Sequence, residues 1–256
     1  MDHPLLSIDE ARVTFGGLHA LDGASFSVLR GKTTGLIGPN GAGKTTLYNF
    51  VSGLLPKASG RVTFDGLAVA GQRPEQISCA GLVRTFQLAR GCPRMTVFEH
   101  LMLYGPRQRG EGMLAGTLGG ARLRHEEEVL SEQALSVANR LRLGHVLDNL
   151  VTALSGGQKK LLEIGRALMA KPKMILLDEP MAGVNPTLVS EIASHLEAIR
   201  ESGIAILLIE HEMALIERLC EDVIVMADGK FLTRGSFREV ISDRRVQESY
   251  LGMRRP

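Results

Sequence analysis

Hydrophobic and polar positions alternate first along this chain. Ala24, Phe26 and Val28 interleave with Ser25 and Ser27, and the Gly16-Gly17 pair divides Leu6–Phe15 from Leu18–Leu29. A period of two predicts half-buried strands, and the paired glycines predict the turn between them. The period then lengthens: Leu47, Phe50, Val51 and Leu54 fall at helical spacing within 45–54, and Pro56 with Ser59-Gly60 is expected to end that helix. Arg61–Phe64 with the turn signal Asp65-Gly66 predicts another strand of the antiparallel layer, and Leu82–Gln87 the strand after it. Strand signals then become scarce. An Arg/Gly-rich stretch over 107–124 precedes the helical pattern Glu126–Leu143, which predicts an inserted helical subdomain with 105–120 as an exposed connection.

Two patterns take turns in the second half. Ser155-Gly156-Gly157-Gln158 opens a helix with Leu161, Leu162, Gly165 and Leu168 on one face, broken by Lys171-Pro172. Met174–Leu177, Ile204–Ile209 and Val223–Met226 are apolar on every side, as strands covered on both faces must be. Helical stretches Leu188–Arg200 and Met213–Cys220 separate them, so the prediction is a parallel sheet with helices on both faces. The expected fold is therefore α/β, with a mainly parallel sheet, an N-terminal antiparallel β layer and an inserted α-helical subdomain. One domain should span the chain, with 1–87 and 165–256 forming the core and 88–164 the helical part.

Composition changes this picture little. Of 256 residues, 44% are hydrophobic and 23% charged, and a net charge of +2 offers no bulk electrostatic attraction for nucleic acid. Cys79, Cys92 and Cys220 are odd in number and lack paired spacing, which argues against a disulfide framework or a zinc site. No window approaches 18 consecutive apolar residues, and the opening Met1–Leu6 lacks a signal-peptide pattern. A cytoplasmic location is expected, with any membrane role exerted through a partner.

Candidate chemistry begins at Gly38-Pro39-Asn40-Gly41-Ala42-Gly43-Lys44-Thr45-Thr46, which satisfies G-x-x-x-x-G-K-S/T directly after the apolar run Thr34–Ile37. Backbone N–H groups of such a loop close around phosphate oxygens, Lys44 reaches the β and γ phosphates, and the Thr45 hydroxyl can ligate Mg²⁺. In doubly wound sheets ligands sit beyond the carboxyl ends of the strands. Gln87, Asp178, Glu179 and His211 all end predicted strands, so they should converge with the loop on one edge. Asp178 is placed to hold Mg²⁺ with Thr45, and Glu179 to accept a proton from an attacking water. Gln87 can touch metal and water, and His211 can hydrogen-bond a γ-phosphate, although either alone would read as an ordinary strand-end polar group. Phe15, before the glycine pair, suits either an adenine face or the core. Ser155-Gly156-Gly157 is a second helix start able to bind an anion, and one nucleotide already has its loop, so this turn points to the nucleotide of another subunit.

In that order, the phosphate loop, Gln87, Leu154-Ser155-Gly156-Gly157-Gln158, Ile175–Pro180 and His211 resemble the ATP-binding subunit of ABC transporters over nearly the whole chain. The resemblance implies a phosphate-loop NTPase core using ATP and Mg²⁺. It implies two subunits sandwiching two ATP molecules, each signature turn completing the opposite site, with Glu179 as the catalytic base and Phe15 stacking on adenine. Phe15-Gly16-Gly17-Leu18, Gly81–Gln87, Ala182–Pro186 and Tyr250-Leu251-Gly252 look like the branched-chain amino-acid uptake branch. Such members act on the cytoplasmic face of the inner membrane, with paired permeases and a periplasmic binding protein. The resemblance leaves open a homodimer or a heterodimer. It also leaves open a related cargo such as urea, an amide or an aromatic acid, or a soluble ATPase of cofactor assembly. Asn185 departs from the wider family, which commonly carries Asp there, so a contact between subunits would lose a charge.

Overall fold

The computed structural model describes residues 3–55, 58–85, 92–105 and 120–251. Contacts divide the chain into two compact units, one of Met1–Arg84, Lys173–Ala182 and Leu196–Pro256, the other of Thr85–Pro172 and Gly183–His195.

The first unit contains two sheets. Strands β1 (Pro4–Phe15) and β2 (Leu18–Leu29) form the expected hairpin, with Ile8 opposite Phe26 and Val13 opposite Leu21. They join β4 (Ser59–Phe64) and β5 (Leu67–Ala68) in the order β2-β1-β4-β5. The alternation does its work here: Leu6, Ile8, Val13, Leu21, Ala24 and Val28 are buried.

The second sheet has six strands in the order β10-β9-β3-β8-β7-β6. Strands β3 (Thr33–Ile37), β6 (Leu82–Arg84), β7 (Met174–Asp178), β8 (Ala205–Ile209) and β9 (Asp222–Ala227) run parallel. Every residue of β8 is buried, as its uniformly apolar run required, and every residue of β3 is buried as well, Thr33 and Thr34 included. The edge strand β10 (Lys230–Gly235) is antiparallel to β9 and lies outside the sequence expectations. Its residues are exposed or half-buried, so the apolar pattern is weak, while Asp228 (φ 48°) and Gly229 (φ 74°) give the double left-handed turn of a tight hairpin.

Boundaries also move. Helix α1 (Lys44–Val51) stops short of Leu54, because Gly53 at φ 74° donates to the Phe50 carbonyl and Leu54 donates to the Asn49 carbonyl. That pair of bonds is the Schellman ending, closed by the glycine before Pro56 is reached. Strand β6 ends at Arg84, and Phe86 and Gln87 lie outside the described residues. Helix α2 (Pro74–Ala80) precedes β6, starting with Pro at its first position. Leu6 and Ile8 of β1, Leu47 and Tyr48 of α1, and Leu176, Leu207 and Ile224 of the second sheet belong to one core cluster, which locks the phosphate loop between both layers.

The second unit is helical, as expected, with α3 (Val97–Leu103), α4 (Gly120–Arg140) and α5 (Gly156–Met169). Leu161, Leu162 and Leu168 of α5 are buried, and a methyl group on Gly165 would lie 3.0 Å from Leu101 and 3.1 Å from Leu141. The glycine thus admits α3 and the chain beyond α4 against α5. Helix α4 ends at Arg140 rather than Leu143, closed by Arg142 at φ 54° and the bond from the Leu143 N–H to the Ala138 carbonyl. Helix α6 (Pro186–Glu201) follows the signature helix in sequence, and α7 (Met213–Leu219), α8 (Phe237–Ser242) and α9 (Arg244–Leu251) complete the chain.

Candidate active site

The loop between β3 and α1 is shaped by its glycines. A side chain on Gly43, at φ 94°, would meet the Ala20 carbonyl at 2.5 Å, and one on Gly38 would collide with the Met226 carbonyl. Only glycine lets the turn lie this close to the neighbouring backbone. Gly43 is also the N-cap of α1 and supplies no side-chain cap, so the N–H groups of the first turn remain available to an anion. Asn40, Gly41 and Thr45 are exposed, and Gly43 and Thr46 are half-buried. Lys44 is 7% exposed, and its Nζ donates to the carbonyls of Gly38 at 2.7 Å and Pro39 at 3.1 Å. Burial lowers its pKa, while the carboxylates of Glu179 and Asp178 act in the opposite sense.

The parallel register carries the ends of β3, β6, β7 and β8 to one edge, with Arg84 level with Leu176, and Asp178 level with Ile209. Glu179 follows Asp178 in the left-handed region at φ 49°, a conformation of order 1 kcal/mol for a non-glycine residue. Its N–H donates to the Ile209 carbonyl at 3.0 Å, which ties the residue after β7 to the end of β8. The Glu179 Oε1 then lies 2.8 Å from His211 Nε2. Lys44, Asp178, Glu179 and His211 therefore occupy one unit, and Glu179 and His211 lie within hydrogen-bond distance of each other.

Two participants escaped sequence reasoning. Arg84 donates to Asp178 Oδ2 at 3.0 Å and to Asn49 Oδ1 at 2.6 Å, and its guanidinium carbon lies 5.5 Å from the centre of the Tyr48 ring. It links the strand-end carboxylate to the helix behind the phosphate loop. A charged residue in a short, otherwise apolar strand was the available signal. Glu210, 6% exposed, accepts the backbone N–H of Met181 at 2.9 Å and of His211 at 3.3 Å. Burial pushes its pKa above the ordinary carboxylate value.

Phe15 is 51% exposed at the end of β1, so it is not a core residue, and its ring is open to a flat ligand. The residues fit a magnesium ion: Thr45 offers an exposed hydroxyl and Asp178 a half-buried carboxylate, the hard oxygen donors Mg²⁺ prefers. Among the described residues no group of three or more His, Cys, Asp or Glu side chains is placed to hold a metal, so phosphate oxygens would complete such a site.

In the other unit, Ser155 caps α5: its Oγ accepts the Gln158 N–H at 3.3 Å, and the Gln158 Oε1 accepts the Ser155 N–H at 2.9 Å. The two glycines differ. A side chain on Gly157 would fall on Leu188, whereas one on Gly156 would meet nothing within 4 Å. Gly157 is therefore explained by packing within the unit, and Gly156 is not.

A family model described as ABC transporter matches residues 21–182. The chain is 40% identical over 242 residues, 93% of each sequence, to a protein of Methanocaldococcus jannaschii named as a probable branched-chain amino acid transport ATP-binding protein. It is 32% identical over 253 residues, covering 98% of this chain and 99% of its relative, to the high-affinity branched-chain amino acid transport ATP-binding protein BraF of Pseudomonas aeruginosa. A crystal structure of the ADP conformation of an ATP-binding cassette of an ABC transporter superposes with a TM-score of 0.84 at 39% identity, covering 98% of this chain and 99% of the other.

Proposed function

This chain belongs to the ABC transporter family of ATP-binding proteins and hydrolyses ATP to drive transport, and we propose that the cargo is a branched-chain or related amino acid. Its relatives are transporter subunits, so its partners are membrane permeases and it works peripherally to the membrane. No helix among the described residues is long and apolar enough to cross a membrane. The fold binds nucleotide, and Mg²⁺ bound by Thr45 and Asp178 would neutralise phosphate charge.

The observation that carries the mechanism is the Glu179–His211 contact of 2.8 Å, at the sheet edge from which the phosphate loop leaves β3. In our reading, Lys44 leaves its loop carbonyls for the β and γ phosphates, and the uncapped first turn of α1 binds them through backbone N–H groups. Glu179 takes the proton of a water whose oxygen attacks the γ-phosphorus. The bond to the bridging oxygen breaks and ADP keeps that oxygen. His211 holds Glu179 and the γ-phosphate in register, and Phe15 stacks on the adenine. Gln87 is assigned to metal and water by its place after β6. Ser155, Gly156, Gly157 and Gln158 are assigned to the nucleotide of a second ATPase subunit, and the open space over Gly156 supports that approach. A periplasmic binding protein would deliver cargo to the permease, with this chain on the cytoplasmic face.

Replacing Glu179 with Gln tests the chemistry. Turnover should fall ~10²–10³-fold, the scale for losing one interaction made in the transition state. ATP affinity measured by calorimetry should be kept. Near-normal turnover would place the base elsewhere.

A further inference from the structure

Glu210 is a buried acid with an unusual set of contacts. It directly follows β8, with 6% of its surface exposed. Its carboxylate oxygens accept from backbone N–H groups. Taking a carboxylate out of water costs several kcal/mol unless hydrogen bonds compensate. The compensation comes from two backbone N–H groups on different loops: Met181, two residues beyond Glu179, and His211 itself. The carboxylate thus bridges the loop that leaves β7 with the loop that leaves β8. Those loops present the two partners of the Glu179–His211 contact. The Glu179 N–H bond to Ile209 fixes where the strands end, but not where the chain goes afterwards.

We propose that Glu210 is a positioning residue: one oxygen ties the loop after β8 to the loop after β7 through Met181, the other holds the backbone of the adjacent His211, and together they bring Glu179 and His211 to their contact. The proposal rests on the assignment of that pair as the hydrolytic machinery. A carboxylate suits the task because both of its oxygens accept. Glutamine of the same shape has one accepting oxygen, and its NH₂ would face a backbone N–H of one loop. Alanine removes both ties. Neither change touches the phosphate loop, so nucleotide affinity should be spared.

The test uses the purified full chain carrying Glu210→Gln, Glu210→Ala, His211→Ala and the double change Glu210→Gln with His211→Ala. Steady-state hydrolysis is read together with ATP affinity by calorimetry and the melting temperature. Displacing a catalytic contact by a fraction of an ångström to 1 Å costs up to about 100-fold, so each Glu210 variant should lose about 10- to 100-fold in kcat. KM and ATP affinity should change by less than about two-fold. Because Glu210 acts through the pair, the double variant should be no more than about three-fold slower than His211→Ala alone. Turnover of Glu210→Gln near the wild-type value, or losses that multiply in the double variant, would overturn the proposal. So would joint loss of ATP binding and the melting transition in both Glu210 variants, which marks a purely structural carboxylate. Wild-type turnover in His211→Ala would instead sink the assignment of the pair itself, and the clamp with it.

Discussion

Tyr48 shows how one side chain joins the helix after the phosphate loop to β7 and β8. Its hydroxyl lies 2.5 Å from the Leu207 carbonyl and 3.2 Å from that of Leu177, and burial drives its pKa well above the usual phenol value, so it stays a neutral donor. Tyr48→Phe removes one buried hydrogen bond and leaves a small void. A loss of about 1 kcal/mol, or roughly 2–4 °C in melting temperature, should follow. An unchanged melting curve would show that the hydroxyl bond is not needed. At this scale legibility depended on contiguity. Lys44, Asp178 and Glu179 stand inside short motifs whose neighbours announce them. Arg84 and Glu210 act through partners far off in sequence, Asp178 and Met181, and no local pattern encodes such a meeting.

Among the elements, the signature helix α5 separates two kinds of glycine. Gly157 packs against Leu188, and Gly156 faces open space. Gly157→Ala should therefore cost about 1–3 kcal/mol through overpacking. Gly156→Ala, placed at the first turn of a helix, should leave the melting temperature unchanged or raise it, since Ala forms helix better than Gly by about 1 kcal/mol. Thermal unfolding of the two variants side by side checks the contrast, and equal destabilisation would refute it. Helices and strands with strong periods were readable, including β1, β2, β7, β8 and α5. Helix ends were less so, because Gly53 and Arg142 stop α1 and α4 through backbone bonds of the Schellman type, whereas proline or the last apolar residue is the more visible mark. The hairpin to β10 was missed because its strand lies on an edge and carries no buried stripe.

For the whole molecule, the phosphate loop and the signature turn belong to different compact units. The proposed ATP sandwich would give the signature turn, a second helix start in a chain with one phosphate loop, a nucleotide to bind. Light scattering of Glu179→Gln should show a dimer when ATP is added, because slow hydrolysis keeps the sandwich closed. Adding Ser155→Arg should abolish pairing while sparing ATP binding. A variant that binds ATP yet remains monomeric would assign the second site to a different ATPase subunit. By itself the sequence determined the α/β class, the phosphate loop, the strand-end carboxylates and the family, since each depends on residue type at fixed short spacing. The tertiary structure alone decided that Arg84 engages Asp178, that Glu210 is buried between two loops, that Phe15 is exposed, and that Gly157 but not Gly156 is required by packing. Those facts arise from the parallel register of β3, β6, β7 and β8 and from close packing between segments distant in sequence, and burial is a property of that packing rather than of any residue read alone.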